Sequence, residues 1–574
     1  MIVPVFEKLL EEVGDSGRYQ QLLYWLFVVP INFLIPWVAL VPIFMTSTPD
    51  HWCHVPGRPQ DISLDEWKAL TIPREDKEGG EAFSSCRQYN VTASQALGLL
   101  GGTTPAAADL NETFGVVGCQ SGWDYDHTYY DSTLSTQQDW VCGHASLGAN
   151  WLSAAVAGNV VGTFVLNSLS DLIGRRPVLM MTVTIYAVFG LVRLYVTYAA
   201  LMITTFLASV SFPPMLELTL IIILEQVSPG WRARITSTSF LLWTAGMCLL
   251  PLLAWAARDW QLLGLITTLP FFVMIIFCWF LPESPRWLLS RGRVDQCSRL
   301  MTNIAARNGK KVPDSMEEKL QGIATAHESE KNYGALQLFK YPVVRVRTLL
   351  LTLCYTCNNL FYYGLAYNMS NLSGNEFLNF FLLGIVELPS NLLGWWGSQT
   401  LGRRWTAAGA SMLAALGALV TVFLTAESGW DPLYILLLSK FFITISFMVV
   451  YVQCAEVFPT THRSSGTGLA SLISSCFGIT APYIAFSVVV GAWVPYIILF
   501  LIAVVGFLCA SLLPETLNTD LPQTLLDANA FLLSEKYWSY KGRRWCLSAT
   551  KPKKGDSVQG YVNTGVSDLN TEKC

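Results

Sequence analysis

The sequence predicts an all-α membrane protein: twelve transmembrane helices in two pseudo-symmetric six-helix halves, with one large extracellular loop. Three observations carry that reading. The chain is 52% hydrophobic and 14% charged, with a mean hydropathy of +0.40, whereas a soluble chain carries about a quarter charged residues. Apolar runs of roughly 20 residues, the length that crosses a bilayer, recur throughout. The charged turns between them repeat at a nearly constant interval.

The runs place spans near 21–45, 147–168, 178–198, 201–224, 234–255, 262–281, 346–367, 376–398, 405–425, 433–453, 466–488 and 492–513. Two hydrophilic stretches interrupt them, 46–146 after the first span and 282–345 after the sixth. The opening residues "MIVPVFEKLLEEVGDSGRYQ" are acidic and lack the apolar core of a cleaved leader. One set of short loops holds Arg175, Arg176, Arg232, Arg234, Arg403, Arg404 and Arg463; the opposite set holds Arg258. Positively charged loops stay cytoplasmic. The expected layout follows: a cytoplasmic N-terminus at 1–20, a first helix at 21–45 and an outer loop at 46–146. Helices two to six fill 147–281, a cytoplasmic loop 282–345, and helices seven to twelve 346–513. The polar tail, 514–574, is expected to be cytoplasmic and largely disordered.

The outer segment holds Cys53, Cys86, Cys119 and Cys142, an even number suited to an oxidising compartment. Four cysteines allow three pairings. Sequons at Asn90 and Asn111 mark expected glycosylation sites. Those at Asn368 and Asn371 fall in a short outer turn, too near the bilayer for modification. His51 and His54 flank Cys53 in "HWCH", which reads as structural rather than metal-binding.

The two halves match at offsets of 228 to 232 residues. Gly174 of "IGRRP" recurs as Gly402 of "LGRRW", Glu225 as Glu456, Arg232 as Arg463, and Glu283 of "LPESPRW" as Glu515 of "LPET". Such duplication is the signature of a secondary transporter with pseudo-symmetric halves. One "GRR" turn alone only obeys the positive-inside rule. Four aligned repeats point to an inner gate made of Asp171, Arg175, Arg176, Glu225, Arg232, Glu283 and Arg286 in the first half. Arg403, Glu456, Arg463 and Glu515 are its counterpart in the second. Ion pairs there are expected to lock the inner helix ends while the pore opens outward.

The stretches "GDSGRYQ", "CQSGWDYD", "STQQDWVC", "LSDLIGRRP", "LPESPRWLLSRGR", "YYGLAYNMSNLSGNEFLNFFLLGIVELP" and "AEVFPTTHR" run almost end to end. Together they resemble the major facilitator superfamily, and within it the organic cation/carnitine/organic anion transporters. "NLSGNEFLNFF" is similar to the arthropod branch, which includes transporters of carcinine and β-alanine. The resemblance implies Cys53–Cys119 and Cys86–Cys142 as the bridges, in a family whose members often carry six outer cysteines. Asn167 stands where the first-half motif usually has glycine. Gln399 replaces the second-half aspartate, so the second latch is expected to be the weaker.

Ionisable residues inside spans mark pathways. Glu387 lies eleven residues into span eight, roughly 16 Å deep at 1.5 Å per residue, and matches an acidic cavity position of the family. Lys440, in the outer part of span ten, is at a position usually basic there; a snorkelling lysine is the alternative. Glu217 follows the Pro213–Pro214 pair, which frees backbone carbonyls, and has no family counterpart; a place in the inner gate is the alternative. Tyr355 and Tyr362 share a helical face and match substrate-contacting aromatics; Trp243 is a further candidate. Ser475 is neutral where cation carriers have aspartate and anion or carnitine carriers have arginine. Met448 occupies a position that can be polar or acidic in relatives.

The leading expectation is a plasma-membrane carrier for small organic cations or zwitterions, working by alternating access. The alternatives are an organic anion exchanger, against which Ser475 and Glu387 argue, and a receptor that has lost transport. Retention of Asn358, Asn359 and Glu387 favours transport. No nucleophile–base pair, metal cluster or phosphate loop indicates an enzyme, and no basic stripe indicates nucleic acid. The expected partners are the substrate and membrane lipid, with no cofactor; the coupling ion is left open.

Overall fold

The computed structural model describes residues 2–14, 17–77, 80–99, 113–313, 315–329, 335–372, 374–427, 432–459 and 462–517, with a few positions as far as 529. Asn111 and most of the tail lie outside these residues. Among the described residues, eleven helices are long and apolar enough to cross a membrane: 18–45, 142–173, 175–195, 198–224, 234–257, 260–279, 376–400, 403–425, 433–457, 465–489 and 494–512. The helix Pro342–Tyr367 takes the place of the expected seventh span. Its arginines, asparagines and threonines make it more polar than the rest. The twelve are numbered spans 1–12 in chain order.

Span 2 runs beyond its apolar run and span 3 begins ahead of its own. Helix continues through Asp171 to Ile173, and the next helix begins at Arg175. Gly174 alone makes the reversal, at φ +119°, and Gly402 repeats this at +98°. Such left-handed backbone favours glycine. An added Cβ at either position would also strike a carboxylate, that of Glu283 or of Glu515. The "GRR" turn is therefore one residue long in the first half and two in the second.

Prolines break two spans where the site is built. In span 4, Pro213 and Pro214 lack the N–H groups that would bond back one turn. The helix is interrupted after Ser209 and resumes at Phe212. Gly158 and Gly162 of span 2 lie against this break, and a Cβ on either would meet the carbonyls of Phe206 or Val210. This is a small-xxx-small contact that lets two helices approach backbone to backbone. In span 8, Pro389 removes the bond to Ile385, and helix ends at Ile385 to restart at Glu387.

Spans 1–6 pack together, as do spans 7–12; span 5 lies against span 8, and span 2 against span 11. Hydrogen bonds joining the halves lie towards the end that bears the disulfides. Ser153 donates to the carbonyl of Ile479 (3.0 Å), and Tyr483 to Asn150 (2.6 Å). Ser47 donates to both Glu376 oxygens (3.0 and 2.7 Å). Phe44 meets Phe380 edge-on (centroids 4.9 Å apart), and Phe377 lies between Phe44 and Tyr130. At the arginine-rich end, no hydrogen bond or ion pair among the described residues joins the halves.

The segment between spans 1 and 2 forms three antiparallel two-stranded ribbons over a small core of Val55, Trp67, Tyr89, Val91 and Ala96. Cys53 is bonded to Cys119 and Cys86 to Cys142, the pairing the resemblance implied. His54 is held by Asp124 at 2.9 Å. Asn90 is exposed, whereas Asn368 is fully buried.

The first residues are not a bare tail. Ile2–Val13 is a helix, and Phe6, Leu9, Leu10 and Val13 are buried. That i, i+3, i+4, i+7 spacing makes one apolar face. It packs on the helices Val294–Asn308 and Met316–Ser329 that follow span 6. Asn308 closes the joint: its Nδ2 donates to the Gly14 carbonyl (2.8 Å) and Gln20 Oε1 (3.0 Å), and its Oδ1 accepts from the Tyr19 N–H (3.0 Å).

Candidate functional site

The break in span 8 presents Glu387 at the start of a new helical segment, where it is 3% exposed. Lys440 comes from span 10 and is fully buried. Its Nζ lies 3.0 Å from Glu387 Oε1 and 3.0 Å from the centroid of the Tyr362 ring. Tyr362, from span 7, donates its hydroxyl to the same carboxylate oxygen at 2.5 Å. A buried charge is tolerated only when it is paired, and here the Glu387 carboxylate accepts from the phenol and faces the ammonium, whose nitrogen makes an ion pair but no aligned hydrogen bond. Lys440 therefore has a partner, where the sequence showed none nearby, and it does not snorkel.

Aromatic rings extend the cluster. Phe447 lies 5.8 Å from Tyr362 and 5.5 Å from Tyr355, centroid to centroid. Trp243 of span 5 adjoins the Tyr362 hydroxyl and lies 6.2 Å from Phe212, so the first half contributes to the same wall. Cys248 of span 5 approaches Gly384 just above the break; a Cβ there would lie 3.0 Å from its sulfur.

The remaining candidates lie elsewhere. Glu217 accepts from Asn167 Nδ2 at 2.6 Å. Two of the residues that departed from the family pattern are thus partners, joined where Gly158 and Gly162 bring spans 2 and 4 together. Glu217 is near enough to Tyr355 and Tyr451 of the other half to act on them electrostatically. Ser475 is half-buried, and it makes no hydrogen bond among the described residues. Its neighbour Ser474 accepts from Asn359 Nδ2 at 2.8 Å. Asn358 turns back to the Cys354 carbonyl at 3.1 Å. Met448 packs towards Gly394.

The motif charges form two near-identical braces at the arginine-rich end. Glu283 accepts from the backbone N–H groups of Arg175 (2.9 Å) and Arg176 (3.3 Å), capping span 3. Glu515 does the same for Arg403 (2.9 Å) and Arg404 (3.2 Å) on span 9. A carboxylate at a helix N-terminus satisfies orphan donors and opposes the helix dipole. The second arginine of each pair donates to the end of the sixth helix of its half: Arg176 to the Trp279 carbonyl (2.6 Å), Arg404 to the Ser511 carbonyl (2.7 Å).

The first arginines differ. Arg175 reaches Asp171 at 3.1 Å and Glu225 at 3.8 Å, with Asp171 largely exposed. Arg403 holds Glu456 with two bonds, 3.1 and 3.0 Å. The second brace is thus the tighter, against expectation. Without an aspartate at Gln399 the guanidinium gives both nitrogens to one shielded carboxylate. An exposed pair such as Asp171–Arg175 contributes little, about 0–1 kcal/mol.

Two further assignments change. Arg232 and Arg286 both reach Glu7, at 3.1 and 3.3 Å, so they anchor the N-terminal helix. Glu225 instead accepts from Ser284, and burial pushes its carboxyl above the usual range. Every brace lies within one half, so the pairs do not join the inner ends of the two halves here. The side chain of Arg463 lies outside the described residues. Asp171→Asn is expected to slow transport less than two-fold at unchanged surface expression, and Arg403→Ala more than ten-fold. Equal rates in the two variants would show that the tighter geometry of the second brace has no functional weight.

Residues 113–524 match the family described as sugar (and other) transporter. The chain belongs to that family of the major facilitator superfamily. Within it the chain is one of the organic cation/carnitine/organic anion carriers, which are transporters and not enzymes. It is 30% identical to the carcinine transporter of Drosophila melanogaster over 98% of this chain and 83% of that one. It is 32% identical to the β-alanine transporter of the same species over 92% of this chain and 90% of that one. It is 33% identical to solute carrier family 22 member 7 of Sus scrofa over 91% of this chain and 96% of that one. The fold is shared with the xylose transporter XylE of E. coli, at a TM-score of 0.53 and 15% identity, covering 69% of this chain and 91% of that one. A sugar-analogue complex of XylE gives 0.52 and 16%, covering 87% and 98%.

Proposed function

We propose that this carrier moves small amine-bearing solutes, cations or zwitterions, across the plasma membrane, with Glu387 as the anchor for the substrate ammonium. The single observation that carries the proposal is the buried Glu387–Lys440–Tyr362 cluster. Lys440 occupies the position a substrate ammonium would take: beside the carboxylate and over a tyrosine face, where cation–π attraction adds about 0.5–2 kcal/mol. The lysine acts as a tethered stand-in for substrate. A zwitterion would separate the pair, giving its ammonium to Glu387 and its carboxylate to Lys440. A simple cation would compete with Lys440 without supplying it a partner. Relatives named for carcinine and β-alanine support the reading, since both solutes carry an amine.

The arginine-rich end is assigned to the cytoplasm and the disulfide-bonded segment to the outside. The contacts between halves at the disulfide end then describe a state closed outside and open inside. In the opposite state the braces of the two halves would meet. The test is radiolabelled uptake into cells expressing the full chain, with β-alanine, carnitine, tetraethylammonium and a dicarboxylate side by side. Uptake of amine-bearing solutes and not of dicarboxylate is the expected outcome. Preferential dicarboxylate uptake would establish an anion exchanger instead.

A further inference from the structure

We propose that a polar cluster around Arg193, remote from the substrate cluster, binds a small inorganic anion of chloride size. Arg193 ends the helical run of span 3, where its outer part meets span 6. It is 1% exposed. Its Nε and Nη2 make no aligned hydrogen bond, and no carboxylate among the described residues lies within ion-pair distance of it. The Tyr186 hydroxyl, two turns earlier on the same helix, is within hydrogen-bonding reach of the guanidinium and of the Thr268 hydroxyl of span 6, neutral neighbours that leave the arginine's charge uncompensated. Both hydroxyls are buried and neither finds an aligned partner.

The shape of the cluster limits the ligand. Gly190 brings span 3 against span 6: a Cβ there would lie 3.2 Å from Thr268 Cγ2 and 3.4 Å from its Oγ1. Phe271 covers Tyr186 edge-on at 4.6 Å, and Leu194 and Met45 close around Gly264. The enclosure excludes an organic substrate. Its chemistry excludes a cation, because guanidinium nitrogens only donate and the two hydroxyls can donate with them. A buried, uncompensated charge is strongly unfavourable. The C-terminus of the span 3 helix supplies only about half a negative charge. One monovalent anion accepting from Arg193, Tyr186 and Thr268 completes the balance.

Thermal unfolding of the purified full-length protein tests this, in sodium chloride against sodium gluconate at equal ionic strength. The midpoint is expected to rise saturably with chloride, and with bromide. Arg193→Gln is expected to abolish the halide dependence. Should that variant not fold, Thr268→Val is expected to raise the half-saturating chloride concentration about ten-fold, the effect of losing one hydrogen bond to a charged group. A wild-type midpoint indifferent to halide overturns the site. So does the same dependence in Arg193→Gln, or, where that variant does not fold, an unchanged half-saturation in Thr268→Val.

Discussion

Glu387→Gln is expected to abolish uptake of cations and zwitterions alike and, separately, to destabilise the protein. Loss of transport follows from losing the only carboxylate among the described residues of the aromatic cluster. Loss of stability follows because Lys440 is then buried without a counter-ion, while the glutamine amide oxygen can still accept from Tyr362. Breaking a buried pair by removing one partner costs about 3–5 kcal/mol. A double variant separates the two effects. In Glu387→Gln with Lys440→Met no charge is stranded, so the unfolding temperature is expected to recover while uptake remains absent. Recovery of both would make the cluster a folding element and would remove the anchor role. Near-normal uptake in Glu387→Gln alone would sink the proposed function outright.

Lys440→Gln is expected to divide the substrates. Tetraethylammonium has no group for the lysine and now meets a carboxylate without a competitor, so its apparent affinity is expected to hold or rise. β-Alanine loses a charge-assisted hydrogen bond worth about 1.5–3 kcal/mol, or roughly ten- to a hundred-fold. Concentration dependence of uptake for both solutes in one preparation reads this directly. An equal fall for both would make the lysine structural, its function being to neutralise Glu387. Surface biotinylation in parallel removes expression as a cause.

Hydropathy and repetition determined much of this protein. Spans are legible because a bilayer demands about 20 apolar residues whatever the neighbours, so only the polar seventh helix fell below the general apolarity. The duplicated positions Gly174/Gly402, Glu225/Glu456 and Glu283/Glu515 were legible as pairs because both halves solve the same local problem. The roles of the charges were not. The glutamates after the sixth and twelfth spans cap backbone N–H groups, which have no signature in side-chain identity. The docking face of Ile2–Val13 was legible in its apolar spacing, but Glu7 as the partner of Arg232 and Arg286 was not, because those residues lie 225 and 279 positions away.

The substrate cluster shows the same division most sharply. Glu387 and Lys440 were each identifiable as costly ions within apolar runs. Whether they faced a substrate or each other is a matter of distance between spans 8 and 10, and only packing sets that distance. Asn167 and Glu217 read as two unrelated departures until the close approach of Gly158 and Gly162 to the broken span 4 joined them. One-dimensional patterning records what each segment must do in lipid. Which buried charges neutralise which depends on contacts distant in sequence, because the strength of each attraction is set by the separation that packing imposes.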